Sequence, residues 1–220
     1  MGAYLALPPS GRGPGLLLLQ EIFGVNAHVR AVADQYALAG FTVLAPDLFW
    51  REGQRIELDY VGTDRERAMV LMRTISRAQA VTDMQASLAA LRALPACSSR
   101  VGAIGYCMGG RLAYTAAALC GVDAAVAYYG GGIANHLELA GLINCPVQFH
   151  HAETDASIPP EAVQAVQAAM AQSPGSATAE FHLYPGAQHG FNCWARAAYH
   201  PASAALAHGR SLTFLAQLFG

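Results

Sequence analysis

Charged residues are scarce in this chain of 220 residues, since Asp, Glu, Lys and Arg together make up only 13% of it. The formal net charge is -2, so there is no excess of positive charge for binding nucleic acid or an anionic membrane surface. Long apolar runs are also missing: the longest uninterrupted aliphatic stretch is at 16–19, far short of a membrane-spanning helix. We therefore predict a cytoplasmic protein with no nucleic-acid partner and no membrane partner.

Cysteine is present without a pattern. The five cysteines are widely spaced, odd in number and free of CxxC pairs, so they predict neither a disulfide framework nor a zinc site. His150 and His151 end an apolar run near Asp155, but adjacent strand residues point to opposite faces of a sheet. We therefore predict that these histidines are structural and that the protein binds no metal ion.

Short apolar runs alternate with longer segments of helical spacing, a pattern typical of parallel βαβ units. The chain is 54% hydrophobic and long enough to bury one core, so we predict a single α/β domain over residues 1–220. The near-continuous apolar strands predict a mostly parallel central sheet with helices on both faces. Strands are predicted at 15–20, 41–45, 100–105, 124–129, 146–151 and 179–184. Helices are predicted at 28–39, 64–75, 77–94, 108–119, 161–172 and 201–218.

Cys107 lies in the pattern Gly-x-Cys-x-Gly, directly after the predicted strand at 100–105 and at the start of the next helix. This is the pattern of a nucleophile elbow, with cysteine in place of serine. A sharp strand-to-helix turn exposes the side chain, and the free N–H groups of the helix N-terminus favour a thiolate. The alternative is a small buried cysteine in a glycine-rich corner, and the pentapeptide alone does not choose between them.

Asp155 and His189 follow two later predicted strands. Ligands bind at the carboxyl ends of the strands in such sheets, so both residues are expected beside Cys107. The chain order nucleophile, acid, histidine is that of α/β-hydrolase triads. An imidazole can take the thiol proton, and a carboxylate can fix the orientation of the ring. Separately, each residue has a commoner explanation as a turn or helix-start residue.

Glu21 follows the first predicted strand directly, in a loop that approaches the nucleophile in this architecture. The backbone N–H of Ile22 in that loop, together with the N–H of Met108 after the cysteine, could form an oxyanion hole. A buried glutamate is costly unless it is paired, which favours a functional role for Glu21. The alternative is an exposed loop carboxylate.

Six segments together resemble the dienelactone hydrolase (carboxymethylenebutenolidase) family of the α/β-hydrolase superfamily: QEIFGVN, APDLFWR, IGYCMGG, YYGGG, TDASIPP and PGAQHGF. The resemblance runs from about residue 15 to the C-terminus. It implies that Cys107 is the nucleophile, with Asp155 and His189 as its partners. It also implies that Glu21 is held by an arginine at rest and helps to generate the thiolate when substrate binds. A small-molecule ester or lactone would be hydrolysed through an acyl-cysteine intermediate, with no cofactor and no metal, and a monomer is expected.

The resemblance has two departures, both in residues that would contact substrate. The best-known members hold the substrate carboxylate with two arginines, and Arg67 matches the first of them. The second lies four residues after the histidine, where this chain has Cys193, and the next arginine is Arg196. Gly190 stands where those members carry a serine. Arg196 is therefore a candidate substitute for the second arginine, and Phe23 and Phe191 are candidates for an apolar wall of the pocket.

Two other classes of function remain open from the residues alone. On the same fold, Cys107 could serve as the reactive thiol of a small-molecule binding or redox-sensing protein, because low-pKa cysteines are also oxidation targets. A thiol enzyme of the glutamine-amidotransferase-like group also combines an elbow cysteine with a glutamate. In that group a histidine often follows the cysteine, whereas Met108 does so here.

Overall fold

The computed structural model describes residues 1–219, apart from the side chain of Ser99. Seven strands alternate with six α-helices. The strands are β1 (Ala3–Ala6), β2 (Gly13–Leu19), β3 (Thr42–Pro46), β4 (Cys97–Tyr106), β5 (Ala124–Tyr128), β6 (Val147–Ala152) and β7 (Ala179–Tyr184). The α-helices are α1 (Ala27–Leu38), α2 (Gly62–Thr74), α3 (Arg77–Ala93), α4 (Met108–Leu119), α5 (Pro160–Met170) and α6 (Pro201–Phe219). Three short 3-10 helices lie at Ile133–Asn135, Leu137–Leu142 and Ser176–Thr178.

All seven strands pair in one sheet, in the order β1-β3-β2-β4-β5-β6-β7. Strands β2 to β7 run parallel, whereas β1 pairs antiparallel with β3 at the edge. The carboxyl ends of β2, β4, β6 and β7 therefore lie on the same edge of the sheet. This edge is where the predicted site residues follow their strands.

The helices cover both faces of the sheet, as the apolar strands predict. Leu17 and Leu19 of β2 belong to the core cluster formed with α2, α3, α4 and α5. Leu16 and Leu18 point the other way, into the cluster formed with α1 and α6. Because both side-chain rows of β2 are fully buried, the strand reads as a continuous apolar run rather than an alternating one.

Every predicted strand and helix is present, with boundaries displaced by up to three residues. The prediction lacks β1, a four-residue edge strand whose Leu5 is 41% exposed. Short edge strands carry neither a continuous apolar run nor a clear alternation, so periodicity does not detect this one. Strand β4 begins at Cys97 rather than at 100, because Cys97 pairs with Gly13 of β2 before a register shift, after which Val101 pairs with Gly15.

Local signals explain several helix starts. The Asn26 side chain accepts a hydrogen bond from the N–H of Val29 and caps α1. Ser76 and Gln79 form a capping box at α3, and Pro160 occupies the first turn of α5. None of the helices described over residues 1–219 is both long and apolar enough to cross a membrane.

Candidate active site

Cys107 sits at the tip of a sharp turn between β4 and α4. Its backbone has φ 57° and ψ -114°, a left-handed conformation that is strained for a residue with a β-carbon. The turn is held by hydrogen bonds from the Cys107 N–H to the Tyr128 carbonyl (3.0 Å) and from the Gly110 N–H to the Cys107 carbonyl (3.0 Å). No side chain caps α4, and in the described part of the chain the N–H groups of Met108 and Gly109 donate no backbone hydrogen bond in a turn, loop or cap.

The glycines on either side of Cys107 are required by packing. A β-carbon at Gly105 would lie 2.0 Å from the Gly109 carbonyl oxygen, and one at Gly109 would lie 2.0 Å from the Leu19 carbonyl oxygen. Helix α4 therefore approaches β2 and β4 too closely for any side chain at these positions. The close approach sets the geometry of the elbow, which the Gly-x-Cys-x-Gly pattern predicts.

His189 and Asp155 lie together at the ends of β7 and β6. The His189 Nδ1 atom is 2.7 Å from Asp155 Oδ2, and the other carboxylate oxygen of Asp155 accepts a hydrogen bond from the Ser157 N–H (2.8 Å). The Asp155 side chain has no exposed surface, whereas 19% of the His189 side chain is exposed. The acid is thus fixed in place and orients the ring, while the ring keeps an open edge.

The surroundings of His189 favour its charged form. Burial alone would lower its pKa, but hydrogen bonding and charge interactions with Asp155 and Cys107 outweigh burial and raise the pKa to about 10. Because hydrogen bonding with Cys107 contributes to this rise in the pKa, we infer that the thiol lies within reach of the ring. An imidazolium beside Cys107 stabilises a thiolate, which is the nucleophilic form of cysteine.

The two predicted oxyanion-hole donors follow the neighbouring, paired strands β2 and β4. Ile22 follows the end of β2 and Met108 is the first residue of α4, and both are buried. Across the described part of the chain, neither the Ile22 N–H nor the Met108 N–H donates a backbone hydrogen bond in a turn, loop or cap. Free N–H groups in a buried setting are what an oxyanion hole needs.

Glu21 is 1% exposed and pairs with Arg196, whose Nη1 lies 3.2 Å from Glu21 Oε1. Burial raises the pKa of Glu21, while the Arg196 cation and the His189 ring oppose that rise. Glu21 Oε2 has no hydrogen bond of standard geometry with any described residue. The carboxylate is therefore buried and only half satisfied, which is a costly arrangement that depends on Arg196.

Tyr60 is a site residue that the sequence analysis missed. Its hydroxyl accepts a hydrogen bond from Asn26 Nδ2 (3.1 Å), which leaves the hydroxyl proton free for another acceptor. Interactions of this hydroxyl also affect the pKa values of Glu21 and Cys193, so it lies beside both. Tyr60 lies in an irregular segment between β3 and α2, where no motif or periodicity marks it.

The predicted substrate-contacting residues differ in where the structure places them. The Arg196 guanidinium lies 5.8 Å from the ring centre of Phe23, inside the site. Phe191 has no exposed surface and packs against Tyr129, so it belongs to the core rather than to an open wall. Arg67 is exposed on α2 and forms no ion pair with any residue that the structure describes.

Cys193 stands where the resemblance leads us to expect the second of the two arginines that hold a substrate carboxylate. In the structure it is a buried, uncharged group. It has no exposed surface, and burial raises the pKa of its thiol to about 12. Arg51, another arginine that could have paired with Glu21, instead forms a two-pronged ion pair with Asp83. Arg196 is therefore the cation that the structure brings to Glu21.

The histidines near β6 lie on opposite faces of the sheet, as adjacent strand residues must. His150 bonds to Tyr184 on the α6 side, whereas His151 stacks with Phe149 on the α5 side. Over the described residues, no three His, Cys, Asp or Glu side chains are arranged to hold a metal ion. A cavity of about 380 Å³ lined by Tyr4, Arg30 and Arg55 contains none of the site residues.

A nucleophile on a strand-to-helix turn, with a carboxylate and a histidine after later strands, is the arrangement of α/β-hydrolases. Solved structures agree with this assignment. The crystal structure of a putative dienelactone hydrolase from Klebsiella pneumoniae matches with a TM-score of 0.85 at 32% identity, over 98% of this chain and 92% of that one. The protein has an α/β-hydrolase fold, and the predicted fold class is confirmed.

The profile of the dienelactone hydrolase family matches residues 1–219, so this chain belongs to the dienelactone hydrolase family. A carboxymethylenebutenolidase from a Pseudomonas species is 37% identical over 99% of this chain and 90% of its own length. Carboxymethylenebutenolidase 1 from Cupriavidus pinatubonensis is 33% identical over 99% of this chain and 92% of its own length. The predictions of the family and of a hydrolase acting on carboxylic ester bonds are confirmed.

Proposed function

We propose that this protein hydrolyses a small lactone or ester through a thioester formed on Cys107, with His189 and Asp155 completing the triad. The observation that carries the proposal is the position of the thiol. Cys107 stands on a strained elbow at the start of a helix, beside a histidine that is 2.7 Å from a buried carboxylate. The carboxymethylenebutenolidase relatives point to lactones as the substrate class.

The first half of the reaction forms the acyl-enzyme. The Cys107 thiolate attacks the carbonyl carbon, and the electron pair of the C=O bond moves to the oxygen. N–H groups of Ile22 and Met108 stabilise that oxyanion. The tetrahedral intermediate then collapses, the C–O bond to the leaving group breaks, and His189 supplies the proton to the departing oxygen. An enol or enolate leaving group departs easily, which suits a thiol nucleophile.

The second half depends on a change in the charge beside His189. Part of the rise in the His189 pKa comes from Cys107, and that contribution disappears when the sulfur is acylated. The ring, now neutral, takes a proton from water, and the resulting hydroxide adds to the thioester carbonyl. Collapse releases the carboxylic acid and restores the thiolate. Asp155 keeps the ring oriented throughout.

Glu21 and Arg196 supply the resting state in this proposal. Arg196 holds Glu21 away from the thiol until a substrate arrives. A carboxylate on the substrate competes for the Arg196 guanidinium, and the released glutamate then assists removal of the thiol proton. The raised pKa of buried Glu21 suits it to accept that proton. Hydrolysis by this route uses only water and needs no cofactor or metal.

The decisive test replaces the nucleophile. We expect Cys107→Ala to abolish hydrolysis and Cys107→Ser to retain at most a small remnant, because the hydroxyl is a much weaker acid than the thiol. Turnover would be followed on cis- and trans-dienelactones and on an uncharged aryl ester. Mass spectrometry of rapidly quenched protein would show an acyl adduct on Cys107. Full activity of Cys107→Ala would refute the mechanism.

The substrate panel also tests which arginines recognise a carboxylate. Arg196→Ala and Arg67→Ala would be compared with the native protein on the charged dienelactones and on the uncharged ester. Loss of the preference for charged substrates in one variant assigns the clamp to that residue. Light scattering during gel filtration would test the proposal that the protein is a monomer.

The two other classes of function have less support. Membership of a hydrolase family disfavours a binding or redox-sensing protein and also a glutamine-amidotransferase-like enzyme. A peroxide titration of Cys107 beside the hydrolysis assay separates the redox alternative, because an enzyme loses turnover in proportion to the oxidised thiol.

A further inference from the structure

The Arg196 guanidinium passes through the space where a side chain at position 190 would lie. A β-carbon built on Gly190 would be 2.4 Å from Arg196 Nη1, 2.7 Å from its Cζ and 3.1 Å from its Nε. Three atoms of one guanidinium thus surround the position of a single methyl group. The same Nη1 atom is the one that reaches Glu21.

The geometry points to Gly190 as a positioning residue whose missing side chain lets Arg196 reach Glu21. The inference deepens the proposed function, since it concerns how the resting glutamate is held. The two departures noted in the sequence, Gly190 and Arg196, then meet in one arrangement, because the guanidinium occupies the space beside Gly190 and reaches Glu21.

Backbone conformation alone does not explain Gly190. Its φ of +85° favours glycine, but Gly186, three residues before His189, has a φ of +69° and nothing within 4 Å of its β-carbon position. Gly186 therefore has a backbone conformation that favours glycine, but a side chain there would meet no neighbouring atom. Comparing alanine at positions 186 and 190 separates the effect of backbone strain from the effect of displacing Arg196.

Displacing Arg196 would change the charge of the whole site. Glu21 would lose the only ion-pair partner found for it in the described part of the chain. Because Glu21 is only 1% exposed, water would not replace that partner easily. The guanidinium also contacts the Tyr60 ring, with 5.6 Å between Cζ and the ring centre, and interaction with Cys107 contributes to the raised pKa of Arg196. A cation that moves away from the thiolate leaves it less stable.

The test is a double-mutant cycle on Cys107 reactivity. Gly190→Ala, Arg196→Ala and the double variant would be compared with the native protein, and Gly186→Ala is the matched control. The rate of alkylation by iodoacetamide would be measured against pH, with Cys107→Ala as the blank for the other cysteines. Urea unfolding midpoints of all variants would be recorded in parallel.

In protein that keeps Arg196, we expect Gly190→Ala to raise the pH of half-maximal alkylation by about one unit, which is the size of the effect of a nearby charge. In protein that already carries Arg196→Ala, the change Gly190→Ala should have almost no further effect, because the side chain that it would displace is absent. Gly186→Ala should leave the profile unchanged. Two results would overturn the inference. One is that Gly190→Ala shifts the alkylation profile equally with and without Arg196, and the other is that Gly186→Ala shifts it as much as Gly190→Ala does.

Folding failure is also informative. If Gly190→Ala alone does not fold, recovery of folded protein in the double variant supports the steric role, and failure of both overturns it. The alkylation profile requires no substrate, so its outcome is separate from the proposed hydrolysis. Retained turnover in Cys107→Ala would refute the mechanism and leave the Gly190 result to stand or fall independently.

Discussion

Two largely buried histidines of this protein are held in opposite charge states. His189 has its ring beside the Asp155 carboxylate and Cys107, and its pKa is raised to about 10. His150 belongs to β6, and its side chain lies on the face of the sheet that α6 covers. Its Nδ1 atom is 2.7 Å from the Tyr184 hydroxyl and its Nε2 atom is 2.8 Å from Gln148 Oε1. Burial, together with neighbouring basic groups, lowers the pKa of His150 well below its usual value.

The difference shows that the partners, rather than burial alone, set the charge of a buried imidazole. Desolvation lowers the pKa of both rings. Interactions with Asp155 and Cys107 reverse the effect at His189, whereas His150 has only neutral hydrogen-bond partners. In the proposed mechanism the same type of side chain thus carries a proton at the sheet edge, whereas within the sheet it is a structural hydrogen-bonding group.

Replacing the Asp155 carboxylate should have the largest effect on catalysis. Asp155→Asn keeps the shape but removes the charge beside His189, so the ring would resemble His150 and prefer its neutral form. We expect the kcat/KM for lactone or ester hydrolysis to fall by about 10³-fold or more, as in other triads that lose their acid. Asp155→Glu, which keeps the charge, is the control. An Asn variant within tenfold of the native protein would contradict the role of Asp155.

Removing the Cys107 sulfur should lower the His189 pKa by a measurable amount. In Cys107→Ala the contribution of the sulfur disappears, so the pKa should move down from about 10, toward the ordinary value of 6.5. Nuclear magnetic resonance titration of labelled histidines would follow the ring, with His189→Gln used to assign its signal. An unchanged His189 titration would show that Cys107 and the ring do not interact.

The raised pKa of His189 also predicts how stability depends on pH. The folded chain binds a proton with a pKa of about 10, whereas the ordinary value is 6.5. The stabilisation is therefore fully present below about pH 6.5 and is lost as the pH rises through about 10. Urea unfolding of the native protein should show a steeper decline over this window than that of His189→Gln. Parallel curves would contradict the pKa shift.

The smallest effect on catalysis is expected at His150. His150→Leu would leave the Tyr184 hydroxyl without its described hydrogen-bond partner, whereas Ser211 keeps its bonds to Gln148 and Tyr128. We expect the free energy of unfolding to fall by about 1–3 kcal/mol, with kcat/KM within about twofold of the native value. Denaturant unfolding and the hydrolysis assay would be measured on the same preparation. A large loss of turnover in folded protein would show that the two histidines are coupled.

Much of the site could be predicted because its residues follow strands whose ends meet. Cys107 is marked by the glycines that the elbow requires, and Asp155 and His189 by their order along the chain. The structure places His189 beside Asp155 and within reach of Cys107, while their catalytic roles stay predictions. The single-domain organisation over 1–220 likewise stays a prediction.

Other features depend on side-chain paths that no local pattern encodes. Tyr60 lies in an irregular segment and approaches Glu21 only through the folding of the loop before α2. The resemblance implies that an arginine holds Glu21 but does not say which one. In the structure Arg196 pairs with Glu21, whereas Arg51 pairs with Asp83. The sequence did not predict edge strand β1 for a different reason, because the strand is too short and too exposed to show a periodicity.

The Arg196–Glu21 pair joins residues 175 positions apart in the chain. During synthesis on the ribosome, the strand that carries Glu21 and the elbow that carries Cys107 emerge long before His189 and Arg196. A nascent chain at that stage contains Cys107 and Glu21 but neither His189 nor Arg196. The contacts of Cys107 with His189 and of Glu21 with Arg196 therefore form only after residue 196 has been synthesised.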